Sequence, residues 1–158
     1  MHPTVGRVVA AARDGGLEIS VETFPEGTRS AEDAARAIGC DVGQIVKSLV
    51  FIGADGAALV TLVSGINRVD VAKLTDILGT GAVRRANADE ARDATGFAIG
   101  GIPPFGHVRP LAVLVDRELL AHEELWAAAG RPDTVFSIRP DDLVRASAGR
   151  VADIAASG

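Results

Sequence analysis

Apolar and polar positions along this chain recur at two different periods, and the switches between them mark out its elements. Val5, Val8, Val9 and Ala12 fall on one face at helical spacing, so residues 4–13 are expected to form a helix that Asp14-Gly15-Gly16 ends. Leu17 to Phe24 alternates apolar and polar residues, the mark of a half-buried strand. Ser30 stands where an N-cap belongs, Glu32 and Asp33 occupy a first turn whose dipole favours anions, and Gly39 supplies the stop. Asp41 to Gln44 reads as a turn or a short helical start. Residues 45–52 and 57–63 are strongly apolar and rich in β-formers, and the hairpin signal Ala54-Asp55-Gly56 joins them into an antiparallel central pair.

Asp70 caps a helix over 71–78 that Gly79 closes. Residues 83–86 form a short strand candidate, and Asn87 with Glu90 opens a helix to Ala94. Thr95 to Ile99 reads as a short strand entering the stretch Gly100-Gly101-Ile102-Pro103-Pro104-Phe105-Gly106-His107. Residues 111–116 are apolar on both faces, which places that strand centrally. A short helix or turn follows over 117–122. Strands at 125–129 and 134–138 flank a turn at Gly130-Arg131-Pro132-Asp133, Pro140 begins a helix through Val144, and residues 151–155 read as a last short helix. Hairpins mixed with helices predict an α/β (mixed α+β) fold, a single compact domain over 1–158. Its sheet should be mainly antiparallel, barrel-like, with flanking helices.

Charge narrows the function classes. Lys and Arg number 16 against 21 Asp and Glu, a net charge of −5, which argues against a broad electrostatic grip on nucleic acid. A small local basic site for one nucleic-acid end stays compatible with it. No apolar run approaches the ~20 residues of a membrane span. The single cysteine, Cys40, and a start without secretion-signal features lead to the expectation of a cytoplasmic protein. His2, His107 and His122 are scattered and Cys40 has no partner at ligand spacing, so no metal site and no cofactor are expected. Phosphate-loop, nucleophile-elbow and dinucleotide fingerprints are all missing.

Two features carry candidate chemistry. Lys47 interrupts an apolar strand, where an ammonium must reach water or meet an anion. It either snorkels to solvent or lines a cavity and holds a phosphate, a carbonyl or a hydroxyl. The Gly/Pro loop is either a tight connection or a binding loop whose main chain faces a partner. Cys40 beside Asp41 suits a structural role better than a nucleophile. His107 reads as an exposed loop residue before it reads as a base, and Arg84-Arg85 as a solvated strand end before a nucleic-acid patch.

Taken in order, several segments resemble the YbaK/ProX family of aminoacyl-tRNA deacylases, the prolyl-tRNA synthetase-associated domains. They are Thr28 to Ala35; Gln44-Ile45-Val46-Lys47-Ser48-Leu49-Val50-Phe51; Val69-Asp70 with Lys73-Leu74; Thr95 to Gly106; Ala129-Gly130; and Asp142-Leu143 with Ala152-Asp153-Ile154. The resemblance implies a trans-acting enzyme that hydrolyses the ester of a mischarged tRNA, tRNA for proline carrying Ala or Cys being the expected case. It implies that Lys47, Gly100 and Gly101 line the catalytic site; the chemistry then expected has Lys47 anchoring the terminal adenosine or the substrate's polar groups and the glycine N–H groups receiving the carbonyl oxygen. Thr28, Ser30, Phe51, Thr95, Pro104, Ala128 and Gly130 are the implied substrate-binding residues. The implied partners are the 3′ end of aminoacyl-tRNA and a prolyl-tRNA synthetase, with no membrane and no metal. One departure bears on substrate: Cys-specific members carry a serine where Ala128 precedes Ala129-Gly130. The same fold could also serve as a non-catalytic module for a tRNA end or a nucleotide, or hydrolyse another acyl ester.

Overall fold

The computed structural model describes residues 1–25 and 30–156. Its organising unit is the hairpin of β2 (Val46–Ile52) and β3 (Ala58–Ser64), antiparallel in continuous register from Val46↔Ser64 to Ile52↔Ala58. β6 (Ala112–Asp116) lies parallel to β3, and β9 (Arg150–Ala152) lies parallel to β6. The two-residue β5 (Arg84–Arg85) pairs with only the Phe51–Ile52 end of β2. The sheet order is β5-β2-β3-β6-β9. Because β5 is so short, the edge of β2 from Val46 to Val50 has no strand of this sheet beside it.

Period-2 alternation sends the two faces of that sheet to different cores. Val46, Val50, Val60, Leu62, Val113 and Val115 face the larger core. Phe51, Leu59, Val63 and Leu114 face a smaller one with Leu74 of α3 (Val71–Leu78). Burial on both faces explains why β3 and β6 read as continuous apolar runs. Across the larger core lies a second sheet in the order β1-β8-β7, formed by β1 (Val21–Thr23), β7 (Leu125–Arg131) and β8 (Thr134–Ile138). Helix α1 (Pro3–Asp14) packs on β7, burying Val5, Val8 and Ala12.

Local capping behaves as the sequence predicts. Ser30 Oγ accepts from Asp33 N–H at 3.0 Å at the start of α2 (Ala31–Ile38), and Asp70 caps α3. Asn87 and Glu90 form the reciprocal capping box of α4 (Ala88–Thr95). Pro140 opens α5 (Pro140–Ser147).

Five expectations are corrected. The sheets do not close into a barrel: the described strands fall into three separate sheets. Residues 95–99 are not a strand, because Thr95 is the last residue of α4 and Gly96 ends the helix at φ 82°. The predicted final helix is instead β9 and β10 (Ala155–Ala156), the latter paired with the two-residue β4 (Arg68–Val69). The cause lies far away in sequence: the buried carboxylate of Asp116 accepts the N–H groups of Ile154 and Ala155 at 3.0 and 3.2 Å and holds them extended. The strand predicted over 17–24 shrinks to β1, the part that reaches β8. β7 continues through Gly130 and Arg131, with a register irregularity after Ala128, so its turn is only Pro132-Asp133.

Candidate active site

The free edge of β2, the start of β7, α2 and the Gly/Pro loop enclose a cavity of about 270 Å³. Its far end is closed where Ile45 bridges to Trp126, which ties the entry of β2 to β7. Ala34, Ile45, Val50, Ala127, Ile102 and Val135 make most of the lining apolar. Polar groups enter at three places.

The first is Ser48. It alternates with Val46 and Val50, so it faces the same side as the larger core, and the residue lies in the cavity wall. That oxygen is buried with no hydrogen-bond partner among the described residues. Nothing in the sequence distinguishes it, since a serine in a strand is ordinary; the signal is its surroundings.

The second is Gly100, which lines the cavity at φ 94°, a left-handed conformation open to glycine at little cost. Its N–H has no acceptor among the described residues. Gly101 differs. Its N–H donates to the Ala98 carbonyl at 3.0 Å, it is buried outside the cavity lining, and a Cβ there would meet Arg131 Cα at 2.9 Å. Its lack of a side chain serves packing against β7.

The third is Lys47, half-buried on the other face of β2 and bordering the cavity. Its Nζ donates to the main-chain oxygen of Asn67. Burial pulls its pKa below the ordinary lysine value; Glu32 opposes this, and Arg85 and Arg68 add to it by repulsion. Among the described residues Lys47 therefore neither snorkels free nor has a carboxylate partner. Arg85 also borders the cavity, its guanidinium 5.9 Å from the Phe51 ring centre, whereas Arg84 is spent on Glu90 at 2.6 Å. The two arginines are thus distinct, and only Arg84 is a plain strand-end ion pair.

Among the implied substrate-binding residues, Ser30 and Ala128 line the cavity. Phe51, Thr95, Pro104 and Gly130 do not. Phe51 lies in the smaller core. Thr95 Oγ1 donates to Ala91 O at 2.8 Å and accepts from Phe97 N–H at 3.1 Å, which shapes the loop from behind. Pro104 is buried. Gly130, at φ 96°, lets α1 approach: a Cβ would sit 2.8 Å from Thr4 O. Thr28 lies outside the described residues. His107 is not exposed; its Nε2 bonds Pro103 O at 2.8 Å and braces the loop. Cys40 packs beside α2, and burial, then Asp41 and Glu124, push its thiol pKa up, away from nucleophilic use. The described residues gather no group of three His, Cys, Asp or Glu that could hold a metal.

Comparison with known proteins decides which family the chain belongs to. Residues 25–146 match the aminoacyl-tRNA editing domain family. The chain belongs to that family. Its chemistry is hydrolysis of the ester joining an amino acid to tRNA, and the chain is a hydrolase of that class. A solved structure described as a candidate trans-editing enzyme for prolyl-tRNA synthetase superposes with a TM-score of 0.93 at 44% identity, covering 99% of both chains. A candidate Cys-tRNA(Pro)/Cys-tRNA(Cys) deacylase of Enterococcus faecalis, EbsC, is 25% identical over 83% of this chain and 80% of its own. The proline–tRNA ligase of Xanthomonas campestris strain 8004 is 31% identical over 80% of this chain but only 22% of the ligase. Editing by a separate protein, rather than by a synthetase insert, is the arrangement these matches support. They lend nothing to a non-catalytic module.

Proposed function

We propose that this chain, acting as one editing domain over its whole length, removes a small wrong amino acid, alanine first, from the 3′ end of tRNA for proline. The observation that carries the reading is a buried hydroxyl without a partner among the described residues, Ser48, in the wall of one small apolar cavity at whose rim an exposed main-chain donor, Gly100, stands free of any described acceptor. The size suits an amino acid side chain and its ester. Ala128, a methyl group where Cys-specific relatives carry a serine, leaves this wall without a hydroxyl to meet a thiol. The biology has a physical need: a synthetase pocket shaped for proline rejects a smaller amino acid by only a few kcal/mol, so a second site must remove the product.

The ester is already activated, so positioning and charge stabilisation suffice without a nucleophilic triad. In this reading water attacks the ester carbonyl. The N–H of Gly100 receives the developing oxyanion, Lys47 anchors polar groups of the substrate beside it, and Ser48 meets the amino group. The bond to the ribose oxygen breaks, releasing free amino acid and tRNA. The acidic chain grips tRNA weakly by itself, so docking with a prolyl-tRNA synthetase would raise the local substrate concentration. The cytoplasm, where tRNA is charged, is the fitting location; no described helix is long and apolar enough to cross a membrane.

The test is deacylation of tRNA for proline charged in turn with Ala, Cys, Ser and Pro. Alanine should be released fastest and proline spared. Lys47→Ala should lower the rate by on the order of 10²–10³. Turnover unchanged in Lys47→Ala, or proline released as readily as alanine, would sink the reading.

A further inference from the structure

On the Lys47 face of β2 runs a polar chain that the chemistry above leaves unused. The ammonium of Lys47 donates to the main-chain oxygen of Asn67. Asn67 is only 7% exposed, and its side-chain amide donates to Glu118 Oε2. Glu118 lies in the short 3-10 helix Arg117–Ala121, and its N–H donates to Asp116 Oδ2 at 3.2 Å. Asp116 is 1% exposed and holds Ile154 and Ala155 with its other oxygen. The near end of the turn is pinned as well: Asn67 N–H donates to Ser64 O at 3.0 Å, and Ser64 Oγ donates to Gly43 O at 2.8 Å.

An ammonium on a four-carbon stem is a free rotor unless something fixes one of its three donor directions. Here that fixed point is a carbonyl, and the residue supplying it is steadied from the far side by a single carboxylate. We propose that Glu118, acting through Asn67, is a positioning residue for Lys47: it fixes the carbonyl on which the ammonium rests and so aims the remaining donors at the cavity rim. Glu118 touches neither the cavity nor the reacting atoms. Its effect passes through two hydrogen bonds and one buried amide.

The inference rests on the proposed role of Lys47, so the experiment separates the two. Glu118→Ala leaves the buried Asn67 amide unpartnered and the turn free to shift. It should lower kcat by on the order of tenfold or more, since misplacement of about 1 Å costs that much or more. KM should rise as well, because the group that anchors the substrate is the one displaced. Glu118→Gln keeps a side-chain oxygen for the Asn67 amide and should restore most of the rate. In a Lys47→Ala background, measured in single turnover with enzyme in excess, Glu118→Ala should cost nothing further. A second readout needs no activity. The chain has two lysines, Lys47 and Lys73, so their side-chain NMR signals are few, and Glu118→Ala should loosen Lys47 while leaving Lys73 unchanged. An equal fold-loss from Glu118→Ala in both backgrounds, or a Lys47 side chain as ordered as in the parent, overturns this proposal alone. A Lys47→Ala protein as active as the parent overturns this proposal and the functional reading together.

Discussion

The two walls of the cavity are finished to different degrees. The loop from Thr95 to His107 answers most of its own polar groups: Thr95 bridges Ala91 and Phe97, Gly101 donates to Ala98, Val108 N–H donates to Thr95 O, and His107 braces Pro103. The strand wall is left open at Ser48. A second hydroxyl in the same hairpin, Thr61, is fully buried and donates to Leu49 O at 3.1 Å, so the hairpin can satisfy such a group where no ligand is needed. Leaving a buried polar atom unpaired costs stability, and native proteins rarely do so without a functional reason. On the proposed function, the loop keeps the shape and the strand keeps a place for the substrate. Gly100 is the one glycine of the loop's pair that sides with the strand.

If that division is right, loop changes should act through stability and strand changes through chemistry. The largest effect should come from Gly101→Ala. The added methyl would meet the Arg131 main chain at 2.9–3.0 Å, where no flexible side chain can yield. A cost of about 3 kcal/mol, the upper end for overpacking, should appear as a lower melting temperature. A variant as stable as the parent would show that the loop and β7 are not fitted to each other.

Next comes a matched pair. Thr95→Val strips a hydroxyl that serves Phe97 N–H and should cost about 2 kcal/mol. Ser48→Ala removes a hydroxyl with no hydrogen-bond partner among the described residues, so stability should stay within about 0.5 kcal/mol while deacylation slows. Denaturant melts and rate assays on both variants check this. A Ser48→Ala protein that is fully active, or a Thr95→Val protein of undiminished stability, breaks the comparison at the corresponding wall.

How much of this is legible in sequence depends on how local the physics is. Caps are settled within four residues, and Ser30, Asp70 and Asn87 all cap where predicted. The tail after α5 is not local: Asp116, 38 residues before Ile154, turns an apparent helix into two short strands. Lys47 stands out because a charge in an apolar strand demands an account. Ser48 demands none until its surroundings are seen. Phe51, Thr95, Pro104 and Gly130 sit in the right motifs yet face or brace other parts of the molecule. For Phe51 the reason was readable, since period-2 alternation puts it with Lys47 and opposite Ser48. A motif reports that a residue matters to the site's construction; which side of the wall it serves is a matter of packing.

The smallest predicted effect is a dependence of loop stability on pH. Burial lowers the His107 pKa below its ordinary value of 6.5, and the bond to the Pro103 carbonyl only partly opposes this. The folded chain thus releases that proton more readily than the unfolded chain. Above pH 6.5 both states hold a neutral imidazole and the group contributes no slope. As the pH falls below 6.5 the unfolded state takes up the proton first, so stability declines until the folded pKa is passed. Each unit of separation corresponds to about 1.4 kcal/mol. Melting temperatures between pH 7.5 and 5.5, above the range where carboxylates titrate, should fall more for the parent than for His107→Asn, whose amide can still donate to Pro103 O. Equal falls would mean that His107 is as free to charge in the folded loop as in the unfolded chain, and that the loop wall is less closed than its hydrogen bonds indicate.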